Sequence, residues 1–516
     1  MSISVAAILA DSAARRPNHP ALVFEGRRIG YGELWAAARR YAAALREHGV
    51  QPGDRVALLL ANSPRFPMVY FGALAIGAVV VPVHGLSRGN DIEYVLRDAD
   101  ARALICDAAL LDAGAEGADL AGVELLTVGE VSDAGHTRLD VLADSVQPVA
   151  NYLPRRPEDL ALVLYTSGTT GQPKGAMITQ LNVVMNVSTT MLAPFDFDED
   201  DVLLGCLPLF HTFGQICGMN TCFLAGATMV LMSRFDAAAA LGLLTAERCT
   251  AFMGVPTMYH ALLDAVASGV PVPTLSRAFS GGAALPVTTL HAFQDTFGCP
   301  IYEGYGLTET SPVVAYNQRH WPVKPGTVGL PIWGVQVEVA DAEVEGRIEL
   351  MPTGEIGEIV IRGHNVMAGY LNRPQATAEV LVDGWFRSGD LGAKDADGYL
   401  SIVDRKKDML VRGGYNVYPR EVEEVLICHP AVGQVAVIGV PDARLGEEVC
   451  AVVCCAPGHR AHDELADQLV SWGRDRLAGH KYPRVVEFVD AFPVGPSGKV
   501  LKRELVSRFA RPARLG

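Results

Sequence analysis

Residues 160–175, LALVLYTSGTTGQPKG, decide how the rest of the chain is read. The first six form an unbroken apolar run, short enough for a strand buried on both faces. In the loop that follows, Thr166, Ser167, Gly168, Thr169 and Thr170 offer hydroxyls and closely approachable backbone N–H groups. Those are the ingredients of a phosphate cradle. Lys174 is followed by Gly175 and the glycine spacing is wrong for a Walker loop, so that class is set aside. The bland alternative is an ordinary Gly/Thr turn, and the pattern on either side argues against it.

Working outward, the first 400 or so residues alternate two patterns. Residues 31–47 have helical spacing, while 55–60 (RVALLL), 101–106 (ARALIC) and 227–231 (ATMVL) repeat the short apolar style of 160–165. Strands separated by helices imply βαβ units with helices on both faces of a sheet. From 326 to 363 the pattern changes to short alternating strands with Gly-rich turns, which predicts a small β-barrel or sheet. Beyond the charged stretch DRKKD (404–408), helical and strand patterns predict a compact α+β unit. The expected class is therefore α/β. The large N-terminal domain, 1–403, holds two βαβ-type sheets and the small β-unit. A smaller, mobile α+β domain, 404–516, follows a hinge at 404–405.

Composition narrows the partners. Hydrophobic residues make up 49% and charged residues 20%, the balance of a globular chain. The net charge of −15 with no basic stripe excludes nucleic acid as an expected partner. The ten cysteines form no CxxC pair and sit largely in apolar runs, which predicts reduced core residues and a cytoplasmic protein. Residues 67–87 carry no Asp, Glu, Lys or Arg and approach the ~20 residues of a membrane span. Glycines at 72 and 77 and Pro82 break the stretch, so a buried helix feeding a buried strand is expected, not a span. The oligomeric state stays open, a homodimer included.

Six further segments complete the pattern: LFHTFG (209–214), SGGAA (280–284), YEGYGLTE (302–309), WFRSGD (385–390), DRKKD (404–408) with Gly413 and Gly414, and PSGK (496–499). Together with 165–175 and in this order, they make the chain resemble the adenylate-forming superfamily of acyl-CoA synthetases, luciferases and peptide-synthetase adenylation domains. The resemblance is nearest to fatty acyl-CoA ligases and covers almost the whole sequence.

What the resemblance implies fits the chemistry. A carboxylate is a poor electrophile, and attack on the α-phosphate of ATP turns it into a mixed anhydride. Two anions must meet, so the site must aim donors and positive charge at the developing oxyanions. By resemblance, Thr166, Ser167, Gly168, Thr169 and Thr170 hold the β- and γ-phosphates. Thr308 contacts the α-phosphate, and Glu309 coordinates Mg2+. Gly281, Gly282 and Ala283 lie along the adenine, Tyr305 stacks on it, and Asp390 and Arg405 hold the ribose hydroxyls. Lys499 bridges the carboxylate and the α-phosphate once the small domain folds over the large one. A rotation about the hinge then presents Gly413 and Gly414, two small residues past which a pantetheine arm can thread. His211 lies near the acyl carbonyl. Lys174 and Lys481 also match family positions but receive no catalytic role.

The acid is expected to be hydrophobic, either fatty or aromatic/cyclic. The stretches 212–218, 254–259, 280–282, 304–305 and 312–314 are mostly apolar or small, with no evident cation for a second carboxylate. Peptide-synthetase domains place an Asp near the His211 position, so amino acids are disfavoured. Coenzyme A is the expected acceptor, and the phosphopantetheine of an acyl carrier protein is the alternative. A reading from another class is a non-catalytic nucleotide or acyl-adenylate binder. The matches at Thr308, Glu309, Asp390, Arg405 and Lys499 tell against it. Ser388 stands where threonine is commoner before Gly-Asp.

Overall fold

The computed structural model describes residues 3–130, 135–166, 172–456, 458–493 and 500–509. The chain divides into two units. One comprises Met1–Val337 with Ile361–Phe386, the other Glu338–Val360 with Arg387–Gly516.

In the first unit, apolar runs become the strands of two sheets. One has eight strands among the described residues, in the order Gly369–Tyr370, Lys174–Thr179, Leu160–Thr166, Val79–Pro82, Arg55–Leu59, Ala101–Asp107, Glu124–Val128 and Thr137–Arg138. The other has nine: Leu330–Pro331, Val313–Tyr316, Ile301–Gly306, Arg277–Ser280, Ala251–Gly254, Val202–Gly205, Thr228–Leu231, Pro20–Phe24 and Arg27–Gly30. Their central strands pair in parallel, which is why those strands carry apolar side chains on both faces. Antiparallel partners appear towards the margins: Leu160–Thr166 with Lys174–Thr179, and Ile301–Gly306 with Val313–Tyr316.

Helix Tyr31–Glu47 buries Tyr31, Leu34, Ala38, Tyr41 and Leu45, a three-to-four-residue spacing that lays one stripe on the core. The uncharged stretch around 67–87 is the buried helix Arg65–Ala75 followed by the buried strand Val79–Pro82, as expected. Among the described residues no helix is long and apolar enough to cross a membrane.

The second unit contains a five-stranded sheet built from Leu410–Arg412, Tyr415–Val417, Val432–Asp442, Gly446–Cys455 and Val485–Phe488. The period of two is visible along Gly446–Cys455. Val449, Ala451 and Val453 pack with Val422, Leu426, Leu465 and Leu469 of helices Pro419–Leu426 and Asp463–Arg474. Cys450 and Val452 face the other way, onto Leu505 of helix Lys502–Phe509.

One expectation needs correction. Of the segment 346–363, read as short alternating strands, Gly357–Gly363 forms one, whereas 346–351 contributes only the bridge of Leu350 to Ala340. Residues 341–356 are mostly exposed, so the alternation has no buried face to hold it.

Candidate active site

The strand Leu160–Thr166 runs into the Gly/Thr loop and returns as Lys174–Thr179, with Thr166 opposite Lys174. Ser167, Gly168, Thr169 and Thr170 lie outside the described residues. Thr166 Oγ1 donates to Glu309 Oε1 at 3.4 Å. The same carboxylate oxygen accepts from the Tyr370 hydroxyl at 2.9 Å. The Lys174 ammonium sits over the Tyr370 ring, 5.1 Å from its centroid. Burial, reinforced by the charge of Glu309, pushes the Tyr370 phenol well up, so it stays protonated and can donate.

Glu309 is carried on the one-turn helix Thr308–Thr310. That turn is fixed from both sides. The Leu307 N–H donates to Thr310 Oγ1 at 2.9 Å, and the Met367 N–H donates to the Glu309 carbonyl at 2.9 Å. Thr308 opens the turn and is half-buried. The donor set around Glu309 is all oxygen, one carboxylate flanked by two hydroxyls, and such a set fits a hard divalent cation. Among the described residues no three His, Cys, Asp or Glu side chains gather as a metal cage.

Strands Arg277–Ser280 and Ile301–Gly306 are parallel neighbours, Ser280 opposite Glu303. Their carboxyl ends therefore deliver Gly281, Gly282, Ala283 and Tyr305 to one edge of the sheet. Ligands of open α/β sheets bind at that edge. Gly281 is buried, Gly282 and Ala283 are exposed, and Tyr305 is half-buried. His211 lies in the turn before helix Phe213–Asn220, half-buried, with its Nδ1 accepting the Phe213 N–H at 3.3 Å. The Phe213 ring reaches Gly281: a Cβ built there would stand 3.2 Å from it. The histidine turn and the 280–284 segment are thus neighbours.

In the second unit, Asp390 and Arg405 are cross-strand partners. Arg405 Nε is 3.4 Å from Asp390 Oδ1, and Asp390 is buried. Ser388 fills the role expected of threonine with its hydroxyl alone. It donates to the Ile359 carbonyl at 2.7 Å and accepts the Asp390 N–H at 3.1 Å. The Asp404 carboxylate accepts the N–H groups of Arg405 (2.8 Å) and Arg420 (2.9 Å). Burial raises its pKa, and nearby Lys502 opposes that rise. Gly413 and Gly414 both adopt positive φ, +58° and +85°, which only glycine takes readily. Lys481 pairs with Glu421 at 2.7 Å. Lys499 lies outside the described residues, between Pro493 and Leu501, whose N–H donates to the Pro493 carbonyl at 2.8 Å.

Sequence reasoning placed Thr166, Glu309, Asp390 and Arg405 around one nucleotide, and of these the structure pairs Thr166 with Glu309 and Asp390 with Arg405. It missed Tyr370 altogether. No local pattern marks that tyrosine, since its partner lies 61 residues away.

Two family models match the chain. The AMP-binding enzyme model covers residues 9–371, and the AMP-binding enzyme C-terminal domain model covers 421–499. The chain belongs to the AMP-binding enzyme family. It is 40% identical to a feruloyl-CoA synthase from Amycolatopsis sp, over 96% of this chain and 97% of that protein. A long-chain-fatty-acid–CoA ligase from Bacillus subtilis (strain 168) is 36% identical, over 97% and 93%. Among solved structures, an anthranilate CoA ligase in complex with anthranoyl-AMP superposes with a TM-score of 0.92 at 28% identity, covering 98% and 97% of the two chains. The family thus bears out the resemblance to adenylate-forming enzymes and the α/β architecture expected from it.

Proposed function

We propose that this protein activates a hydrophobic carboxylic acid with ATP and passes the acyl group to the thiol of coenzyme A. The observation that carries this reading is the Thr166–Glu309–Tyr370–Lys174 cluster at the base of the phosphate loop, in a chain of the AMP-binding enzyme family. In the first half-reaction a carboxylate oxygen attacks the α-phosphorus of ATP. A carbon-bound oxygen joins phosphorus, and the bond to pyrophosphate breaks. In the second, the thiol sulfur attacks the acyl carbonyl, loses its proton, and AMP departs.

The roles follow from what each group offers. The hydroxyls and N–H groups of 166–170 take the terminal phosphates. Glu309, its carboxylate steadied by Tyr370 and Thr166, would hold Mg2+ together with phosphate oxygens. That ion would neutralise charge on the phosphates. Lys174 adds a cation beside the same cluster. Thr308 donates towards the α-phosphate, and Gly281, Gly282, Ala283 and Tyr305 receive the adenine. Asp390 accepts from ribose hydroxyls, with Arg405 alongside. Lys499 supplies a compact positive charge between the two reacting anions. His211 stands by the acyl carbonyl. Gly413 and Gly414 admit the pantetheine arm after rotation about 404–405, a movement that would exchange the hydrogen bonds now made by Asp404. Ten unpaired cysteines support a reducing, cytoplasmic setting.

ATP–pyrophosphate exchange with a panel of carboxylic acids tests this, first without and then with coenzyme A. Acid-dependent exchange followed by thioester formation is the expected result. Exchange without thioester on coenzyme A, but with thioester on a holo-carrier protein, would move the acceptor to the carrier. No exchange with any acid would overturn the reading.

A further inference from the structure

The stretches expected to form the acid pocket include helix Phe213–Asn220 and the carboxyl ends of strands Arg277–Ser280 and Ile301–Gly306. Two glycines at those ends, Gly281 and Gly304, look like open floor. Neither position is empty. Tyr316 is the cross-strand partner of Gly304, and its ring lies directly on that glycine. A Cβ built at Gly304 would be 2.1 Å from two ring carbons. No side chain fits there while the ring stays. The ring spans the sheet, and its hydroxyl donates to the Ser280 carbonyl at 3.1 Å, two strands away.

The tyrosine is fixed as well as buried. It is 2% exposed. The Phe195 ring meets it edge-on at 5.3 Å. Cys217, one helical turn beyond Phe213, is fully buried, and the Phe213 ring over Gly281 sets this helix against the sheet. At the neighbouring glycine, the Phe213 ring stands 3.2 Å from a Cβ built on Gly281. Two aromatic rings therefore occupy the space that the two glycines leave between helix and sheet.

We propose that Tyr316 is the specificity-determining residue of the acid site: it closes the deep end and restricts the substrate to compact apolar acids, aryl or short-chain, against long acyl chains. This rests on the function proposed above. A chain longer than the pocket would have to displace a ring held by a hydrogen bond and by packing on two sides. A small aryl acid would meet flat aromatic walls instead.

The test compares benzoate, cinnamate, hexanoate, dodecanoate and hexadecanoate by kcat/KM for thioester formation. The wild-type protein, Tyr316→Phe and Tyr316→Ala are assayed side by side. The wild type should favour the first three acids. Tyr316→Phe, which keeps the ring, should keep that order. Tyr316→Ala should raise the dodecanoate-to-benzoate ratio by at least about tenfold, the scale of discrimination that an altered apolar pocket gives. Should Tyr316→Ala fail to fold, Tyr316→Leu carries the same comparison with less volume lost. A wild type that prefers hexadecanoate overturns this inference while leaving acid activation standing. So does a ratio unchanged in the smaller variants. Activity with no acid of any kind overturns both.

Discussion

Two regions of the first unit grow from the same pair of strands and are held together by opposite means. Past the end of Ile301–Gly306 the chain turns polar, and Glu309 is gripped by hydroxyls from Thr166 and Tyr370, with Lys174 close by. On the strands themselves, Gly304 lies under Tyr316 in a buried aromatic cluster. The first region is organised by charge and directed hydrogen bonds, as a reaction between two anions requires. The second is organised by shape, which can select among substrates without touching phosphate. Chemistry and selectivity are thus assigned to separate kinds of interaction only a few residues apart. Variants in the polar region should change rate, and variants in the apolar region should change preference or stability.

The largest expected effect is on the charge side. Lys499→Ala should slow adenylation by about 10²–10³-fold, the scale of removing one aimed electrostatic donor. Conversion of supplied acyl-AMP and thiol to thioester should persist, as single-turnover assays of each half-reaction would show. Equal loss in both halves would break the assignment. Tyr370→Phe removes one hydrogen bond to a carboxylate, worth about 1.5–3 kcal/mol. It should cost roughly 10–100-fold in pyrophosphate exchange. A merely structural role for Tyr370 would instead lower the melting temperature and leave the exchange rate of the folded enzyme unchanged.

On the apolar side, Phe195→Ala should destabilise the protein by about 3–5 kcal/mol, because it empties a fully buried ring site. Denaturant titration reads that loss, and the KM for ATP should be unmoved. A large change in that KM would mean the two regions are coupled. The smallest effect belongs to Ser388→Thr. The hydroxyl already makes both hydrogen bonds, so activity should stay within about twofold, given that surface-scale changes without lost partners are near neutral.

These regions also differ in how far the sequence reveals them. The meeting of Thr166 with Glu309 was legible because each belongs to a dense local sequence motif, 165–175 and 302–309. Helix Tyr31–Glu47 was legible for a related reason, since its periodic apolar stripe is local. Tyr370 was not, because its meeting with Glu309 depends on a two-residue strand that pairs with Lys174–Thr179 from far along the chain. Nor was Tyr316. In the run SPVVAYN it reads as one more apolar strand residue. Only the register between strands puts its ring on Gly304. The missing strand at 346–351 has the converse origin: the alternation is present in the sequence, but the stretch is mostly exposed.

Adenylation as proposed requires that the acid carboxylate attack the α-phosphorus of ATP. Incubating the protein with ATP, coenzyme A and an aryl acid whose carboxylate oxygens carry a heavy isotope tests it most directly. One labelled oxygen in the AMP released and none in pyrophosphate is the expected result. Label in inorganic phosphate, or unlabelled AMP alongside thioester, would contradict it.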